Sequence, residues 1–167
     1  MESRRRTEHL NEVVNALRRI TQALRLSSSV VQDTLGITGA QLFVLQQLAD
    51  KPAESLNELA ERTATHQSSV SVVVRRLVDR GLVTRNAAPT DKRRVLIALT
   101  TAGESMLNGA PPTVQSDLMA GMKRLSPDQR ATLADLLEGW VRASGIDLGA
   151  PPMMFEDEPV PEAGSAS

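Results

Sequence analysis

The segment HQSSVSVVVRRLVDRGLV, residues 66–83, combines short hydroxyl side chains with arginines. At 100° per residue, its apolar positions 70, 73, 74, 77 and 78 fall on one face of a helix, which is the pattern of a packed face. Serines, Val72 and arginines occupy the other side. Serine does not favour helix, because its hydroxyl competes for the backbone, so an ordinary solvated face would carry Glu, Lys or Gln. Short hydroxyl side chains beside arginines suit close approach to a polyanion. The alternative is an ordinary solvated face in which the serines have no binding role.

Charge is distributed unevenly along the 167 residues. The net charge is −1, but residues 147–167 hold five acids and no base, which leaves +4 on residues 1–146. Within residues 75–94, seven bases accompany two acids. This local excess favours a nucleic-acid partner, which the near-neutral total would have argued against.

The sequence shows no constellation of residues suited to catalysis or metal binding. There is no cysteine, which excludes disulfides, thiolate ligands and a thiol redox switch, and fits a reducing cytoplasm. The two histidines, His9 and His66, are far apart in the sequence, so we expect no metal and no cofactor. We see neither a secretory signal nor an apolar run long enough to span a membrane. These features predict a cytoplasmic protein that is not an enzyme.

The elements that must position the serine and arginine side chains are mostly helical. Apolar periodicity predicts a long first helix over residues 6–31, in a region that Gly36 ends. Thr38 is placed to cap a second helix, and Ser55 with Glu58 has capping-box spacing for a short third helix. The segment at 66–83 then supplies the fourth helix.

Beyond Gly81 the apolar period becomes that of strands. Segments 82–86 and 95–99 are β-prone, with a turn predicted at residues 89–91 and a basic run, Lys92–Arg94, after it. This pattern predicts a hairpin with a basic flank.

Two further helices are expected after the hairpin. Thr101 and Glu104 have capping-box spacing and open a helix to about residue 124, which the prolines at 111–112 should kink or break. Ser126, followed by Pro127, marks the start of the last helix.

The sequence after Gly145 is rich in Pro, Gly, Ser and acidic residues, which predicts a disordered tail. The apolar triplet at 153–155 is interpreted as part of an inert tail, with a docking patch as the alternative. An acidic tail can also compete with phosphate for a basic lobe.

Two short helices joined by a tight turn and followed by a hairpin form a winged helix-turn-helix. Over about residues 10–143 the chain resembles MarR-type transcriptional regulators, in the segments LAER, RLVDRGLVTR and DKRRVLIALTTAG. The wing is the most specific part, because Asp91, Arg93, Leu99, Thr100 and Gly103 fit D-x-R-x₅-L-T-x-x-G.

The sequence departs from the family pattern at three positions. Ala64 stands where the turn usually has Gly, His66 where a Ser or Asp cap is usual, and Val72 where a polar recognition residue is common.

The resemblance implies a mainly α fold with a small β-hairpin wing, in which a winged helix-turn-helix lobe is joined to a helical dimerisation region. Four regions follow from it. They are an N-terminal dimerisation helix at 1–36, the DNA-binding lobe at 37–100, C-terminal dimerisation helices at 101–145 and the acidic tail at 146–167.

A recognition helix of this kind places its N-terminal residues near base edges in the major groove. The Val72 methyls could meet a thymine methyl, and Arg93 on the wing fits a narrow minor groove. By resemblance Asp91 orients a nearby arginine, whereas Lys92 and Arg94 are expected to hold phosphate. The predicted DNA-binding residues are Ser68, Ser69, Ser71, Val72, Arg75, Arg76, Asp91, Lys92, Arg93 and Arg94.

The terminal helices are too apolar and extended to be covered by so small a lobe, and in the family they interlock with a second copy. A homodimer also spaces two recognition helices to read a palindromic operator in double-stranded DNA. The predicted interface residues are Leu10, Val13, Leu17, Leu133, Leu136, Leu137 and Trp140.

The family further implies a repressor that a small molecule releases from its operator. An apolar wall with one or two cations suits an aromatic or amphipathic acid. The candidate residues are Arg18, Arg25, Phe43, His66 and Met106. The alternative is that Phe43 and Met106 are plain core, that the arginines are solvated and that His66 is a turn residue or cap. A ligand-independent repressor, or a winged helix that binds protein instead of DNA, also remains open.

Overall fold

The computed structural model of the protein describes residues 2–88, 91–146, 151–154 and 156. Within these ranges the fold is mainly helical with one antiparallel hairpin, as predicted. The elements are α1 (Glu2–Leu35), α2 (Gly39–Asp50), α3 (Leu56–Thr63), α4 (Gln67–Asp79), β1 (Val83–Ala88), β2 (Asp91–Leu99), α5 (Thr101–Asn108), α6 (Val114–Arg124) and α7 (Pro127–Ala143). None of the helices so described has the length and apolarity needed to cross a membrane.

The first helix is longer than its apolar pattern indicated. It runs from Glu2 to Leu35 instead of from 6 to 31, and at its C-terminal end Leu35 continues the packed stripe beyond Val31 onto the core. It ends before Gly36, which has a φ of +63°. Glycine adopts this left-handed conformation without the steric clash that a Cβ would cause.

Two predicted caps are confirmed. The Thr38 hydroxyl accepts from the backbone N–H of Gln41, and the Gln41 side chain accepts from the N–H of Thr38, both at 3.2 Å. Ser126 and Gln129 form the same reciprocal pair at the start of α7, at 3.2 and 2.9 Å. Each pair satisfies two of the backbone donors that a helix start leaves without partners.

Two other predicted capping boxes were wrong in detail. Ser55 accepts from the N–H of Glu58, but the Glu58 carboxylate accepts from the N–H of Glu54, one residue before the cap, at 2.7 Å. The cap of α5 is Thr100 and not Thr101, because Thr100 is the last extended residue and its hydroxyl accepts from the N–H of Gly103 at 3.1 Å. The expected break at the paired prolines is confirmed by the gap between α5 and α6.

One core joins α2, α3, α4 and the hairpin, with the C-terminal end of α1 packed against it. Its fully buried side chains include Leu42, Phe43, Leu59, Val73 and Leu77. The hairpin closes one side of this core, since Ile97 is buried and exchanges two backbone hydrogen bonds with Ala53, at 2.8 and 2.9 Å.

Strand β2 begins earlier than the β-prone segment 95–99. It starts at Asp91, so residues 92–94 lie within the strand and not in a loop beside it. Pairing with β1 brings Val83 opposite Leu99 and Ala87 opposite Val95, and the register shifts between Ala87 and Ala88.

The end of the wing motif joins the lobe to the C-terminal helices. The Thr100 hydroxyl donates to the carbonyl of Gly81 at 2.7 Å, and its N–H donates to the carbonyl of Leu82 at 3.1 Å. A Cβ on Gly103 would lie 2.2 Å from that same Leu82 carbonyl oxygen. Only glycine therefore allows α5 to start so close to the lobe.

Candidate nucleic-acid interface

The turn between α3 and α4 is built without the residues usual for it. Ala64 adopts φ +50° and ψ +45°, and its N–H donates to the carbonyls of Ala60 and Glu61. This left-handed conformation costs alanine free energy that glycine would not lose. His66 is the N-cap of α4, but its side chain makes no capping hydrogen bond and is exposed.

Helix α4 has the two faces that its sequence predicted. Val70, Val73, Val74 and Leu77 are buried in the core. Val78 is 37% exposed, so its assignment to the packed face was wrong; it lies on the edge of that face, 80° from Val70 around the helix axis.

The outward side of α4 presents polar and basic groups to solvent. Ser68 and Arg75 are exposed, while Ser71 and Val72 are half-buried. These four side chains form a continuous surface over the first turns of the helix. Their arrangement suits insertion into a groove that offers both hydrogen-bonding edges and phosphates.

One flank of α4 is in contact with the C-terminal segment. The Ser69 hydroxyl donates to the carbonyl of Pro151 at 3.0 Å, and Arg76 forms an ion pair with the Glu156 carboxylate. Met153 is only 4% exposed and belongs to the core. The interpretation of this part of the tail as inert was therefore wrong. Met153 lies outside the helices and strands, so it belongs to no periodic pattern, and methionine is well suited to filling an irregular apolar gap.

The wing stands next to the start of α3 and α4. The side chains of Asp91, Lys92, Arg93 and Arg94 lie outside the described set, so their roles stay predictions. Their backbone forms the first part of β2, which places them at the hairpin end away from the Ile97–Ala53 contact.

Arg85 is a basic residue of the wing that was counted in the local charge but not assigned to the site. It is exposed on β1 and lines a cavity of about 430 Å³ between the wing and the starts of α3 and α4. Ser55, Asn57, Gln67 and Val95 contribute to the same cavity. Strand alternation could have found it, because Arg85 pairs with Ile97, and residues 95 and 97 lie on the same side of a strand.

The predicted interface residues are exposed on the single chain. Leu10 is 62% exposed and Leu136 is 66% exposed, and none of the 17 residues of α7 is buried. Leu133 is the one half-buried member of the set. The remaining exposed members are Val13, Leu17, Leu137 and Trp140.

The five candidate effector residues have different surroundings in the single chain. Phe43 is fully buried in the core, and Met106 packs against that core while half-buried. Arg18 is exposed and donates to the Asn15 side chain at 3.2 Å, and Arg25 and His66 are exposed too. A common pocket for the five therefore stays a prediction.

A winged lobe with an exposed hydroxyl and arginine face defines the chain as a DNA-binding protein of the winged helix-turn-helix class. Residues 35–94 match the model of the MarR family. The chain is 32% identical over 116 residues to the putative transcriptional regulatory protein for the hcr operon of Thauera aromatica. The aligned residues make up 70% of each protein.

Two solved structures agree with this assignment. Wild-type MarR from E. coli, without ligand, has a TM-score of 0.51 and 30% identity, over 76% of this chain and 95% of MarR. Bordetella bronchiseptica BpsR, whose DNA binding is regulated by 6-hydroxynicotinic acid, has a TM-score of 0.53 and 29% identity, over 81% and 94%. The chain belongs to the MarR family of DNA-binding transcriptional regulators. It is a transcription factor and not an enzyme.

Proposed function

We propose that the protein is a cytoplasmic homodimeric repressor that binds a palindromic operator and is released by a small acid. The DNA-binding part rests on the serine and arginine face of α4. The opposite face of the same helix is buried in the core through three valines and Leu77.

The dimer rests on the apolar side chains that the terminal helices leave in solvent. A chain with leucines more than half exposed on α1 and α7 loses the free energy of their burial unless another surface covers them. A second copy is the natural cover, because α1 and α7 flank the lobe in sequence and a two-fold axis repeats both helices. Such a dimer presents two copies of α4 to one side of the duplex.

Specificity and affinity come from different elements in this proposal. Ser71, Val72 and Arg75 reach base edges in the major groove, whereas Arg93 enters the adjacent minor groove. Lys92 and Arg94 bind phosphate, with Asp91 orienting a neighbouring arginine. Bound across a promoter, the dimer would exclude the polymerase.

Control by a ligand is supported by the regulation of BpsR by 6-hydroxynicotinic acid, a small aromatic acid. In this chain Met106 supplies half-buried apolar surface against the core that contains Phe43. Arg18 and Arg25 supply cations, and His66 supplies an imidazole ring, once a second copy closes around the terminal helices. A ligand of this class acts by binding more tightly to a dimer whose lobes are wrongly spaced for the operator.

Two wing variants test the DNA-binding part. Arg93→Ala should weaken operator binding by about 1–3 kcal/mol, while Arg94→Ala should weaken all sequences alike and reduce the slope of affinity against salt by about 1. Binding sites selected from random duplexes supply the operator, and fluorescence anisotropy gives the affinities. Unchanged operator affinity of a folded Arg93→Ala dimer would overturn the assignment of Arg93.

The ligand part has its own test. Small aromatic acids that raise the melting temperature of the dimer should also release it from the selected operator. If acids stabilise the dimer without altering its operator affinity, ligand release is wrong and the protein is a ligand-independent repressor.

A further inference from the structure

The C-terminal segment 151–156 follows the recognition helix for two turns. It contacts Ser69 near the start of α4 and Arg76 seven residues later, a separation of about 10 Å along the helix. Residues seven apart share one flank of a helix, so the segment covers one flank and leaves Ser68 and Arg75 exposed.

Two side chains hold the segment in place. Met153 is inserted into the core, and Glu156 is 4% exposed between α4 and the start of α2. The Arg76 guanidinium pairs with the Glu156 carboxylate and also donates to its backbone carbonyl at 3.1 Å, while the Thr38 hydroxyl donates to the carboxylate at 3.4 Å. A carboxylate this far from water is stable only with such partners.

The Arg76 side chain is still partly accessible from outside. The Arg76 side chain is 44% exposed, so the ion pair lies at the surface of the recognition helix. Both hydrogen bonds to Glu156 are donated by the Nη1 group of Arg76. A guanidinium binds carboxylate and phosphate with the same N–H donors. Glu156 therefore occupies a donor group, and neutralises a charge, that a DNA phosphate would otherwise use.

We propose that segment 151–156 is an internal competitor of DNA, which docks Glu156 on Arg76 and must leave before α4 fully enters the major groove. The proposal rests on the proposed role of α4 as the groove-binding helix. Competition is favoured over joint binding because the docked Glu156 carboxylate has the same sign of charge as a phosphate. A duplex beside Arg76 would meet this like charge, at a cost in affinity.

The first test compares charge-neutral variants of the tail on a random-sequence duplex. If the segment is docked in nine of ten molecules, Glu156→Gln should tighten binding about tenfold, because only the undocked fraction is competent. It should also steepen the slope of log affinity against log salt by about 0.9, since one more cation meets phosphate. Met153→Ala, which removes the apolar anchor, should act in the same direction.

Glu162→Gln is the matched control, because it removes the same charge from the same tail. It should leave the affinity within about twofold, as expected for a screened charge. Equal tightening by Glu156→Gln and Glu162→Gln would overturn the proposal, since the effect would then belong to the tail's net charge and not to docking.

The second test observes the segment directly. With the six methionines labelled at their methyl carbons, the resonance of Met153, assigned through Met153→Ala, should have the shift of a buried methyl in the free protein. It should move to the shift of an exposed methyl when the random duplex is added. A Met153 signal that stays buried at saturating DNA would overturn the competition.

Arg76→Ala separates this proposal from the role of α4. In the Glu156→Gln background Arg76→Ala should weaken duplex binding, because the freed guanidinium is then a phosphate ligand. If it does so while Glu156→Gln alone changes nothing, only the competition fails. If neither Arg76→Ala nor Arg75→Ala weakens binding in that background, the proposed role of α4 fails, and the competition fails with it.

Discussion

The winged lobe and the terminal helices bury apolar side chains in different ways. In the lobe, α2, α3, α4 and the hairpin enclose side chains such as Phe43 and Leu77 with almost no exposed area. Helix α7 buries none of its residues, and Leu136 on it is 66% exposed. The lobe therefore has a closed core within one chain, whereas α7 presents an apolar face that the proposed second copy would cover.

This difference fits the separate tasks of the two regions. A recognition helix needs a rigid support, which the core of Val70, Val73, Val74 and Leu77 provides from within the same chain. The distance between two recognition helices has to be adjustable if a ligand is to control it, and contacts between chains give that freedom. Substitutions in each region should accordingly change different measured quantities.

The largest effect is expected from Leu136→Glu on α7. A two-fold interface repeats the substitution, so it would bury two carboxylates without partners and weaken dimerisation by about 6 kcal/mol. Sedimentation at several protein concentrations measures the dissociation constant. Ala134→Glu, which adds the same charge on the opposite side of α7, is the control. A dimer equally strong in Leu136→Glu would contradict the assignment of this face.

In the lobe, Leu77→Ala should lower the free energy of unfolding by about 2–5 kcal/mol, because it leaves a cavity in a closed core. Urea denaturation followed by circular dichroism measures this loss, and sedimentation should find dimerisation unchanged under native conditions. The control is the neighbouring Val78→Ala, expected to cost less than about 1 kcal/mol because Val78 is 37% exposed. Equal losses for the two variants would mean that Val78 is covered in the assembled protein.

The junction between the two regions is tested by Gly103→Ala. The new Cβ would meet the Leu82 carbonyl oxygen at 2.2 Å, so α5 must shift away from the lobe, at a cost of about 1–3 kcal/mol. Thermal unfolding measures the cost, and operator affinity reports any change in the position of the lobe. Gly121→Ala is the control, since its Cβ would approach only the Arg124 side chain, at 3.9 Å, and alanine there should stabilise α6 by about 0.5–1 kcal/mol. A neutral Gly103→Ala would mean that the junction yields without strain.

Sequence reasoning worked where a local signal fixes the structure. The reciprocal caps at Thr38 and Ser126 need only residues three apart, and the packed face of α4 needs only its period. It erred by one residue at Thr100, because two consecutive threonines offer the same hydroxyl and only the backbone conformation distinguishes them.

The docking of the tail could not be found in this way. Glu156 and Arg76 are 80 residues apart, and a single methionine with a single carboxylate has no period to detect. The candidate effector residues are a similar case. Arg18, Phe43 and His66 lie on or beside different elements, so a common pocket for them would depend on the proposed dimer and not on a pattern within one chain.

The smallest predicted effect lies in the lobe, at the start of α3. The Glu58 carboxylate accepts a hydrogen bond from the backbone N–H of Glu54, which lowers the pKa of Glu58 below its usual range. Partial burial raises this pKa, and the nearby charges of Lys51 and Arg62 lower it. Because the folded pKa lies below the unfolded value, ionised Glu58 stabilises the lobe above the unfolded pKa, and this contribution is lost as the pH falls through the folded pKa.

Glu58→Gln should therefore cost about 0.5 kcal/mol at neutral pH, the scale of an exposed ion pair with one charged hydrogen bond, and cost nothing in acid below the folded pKa. Urea denaturation across the acidic range measures the difference, and Glu61→Gln on the same helix is the control. The substitution should leave dimerisation unchanged at every pH, because Glu58 acts only within the lobe. A cost independent of pH would assign the effect to shape and not to the ionised carboxylate. A pH-dependent change in dimerisation would contradict the prediction that the lobe and the terminal helices are stabilised independently.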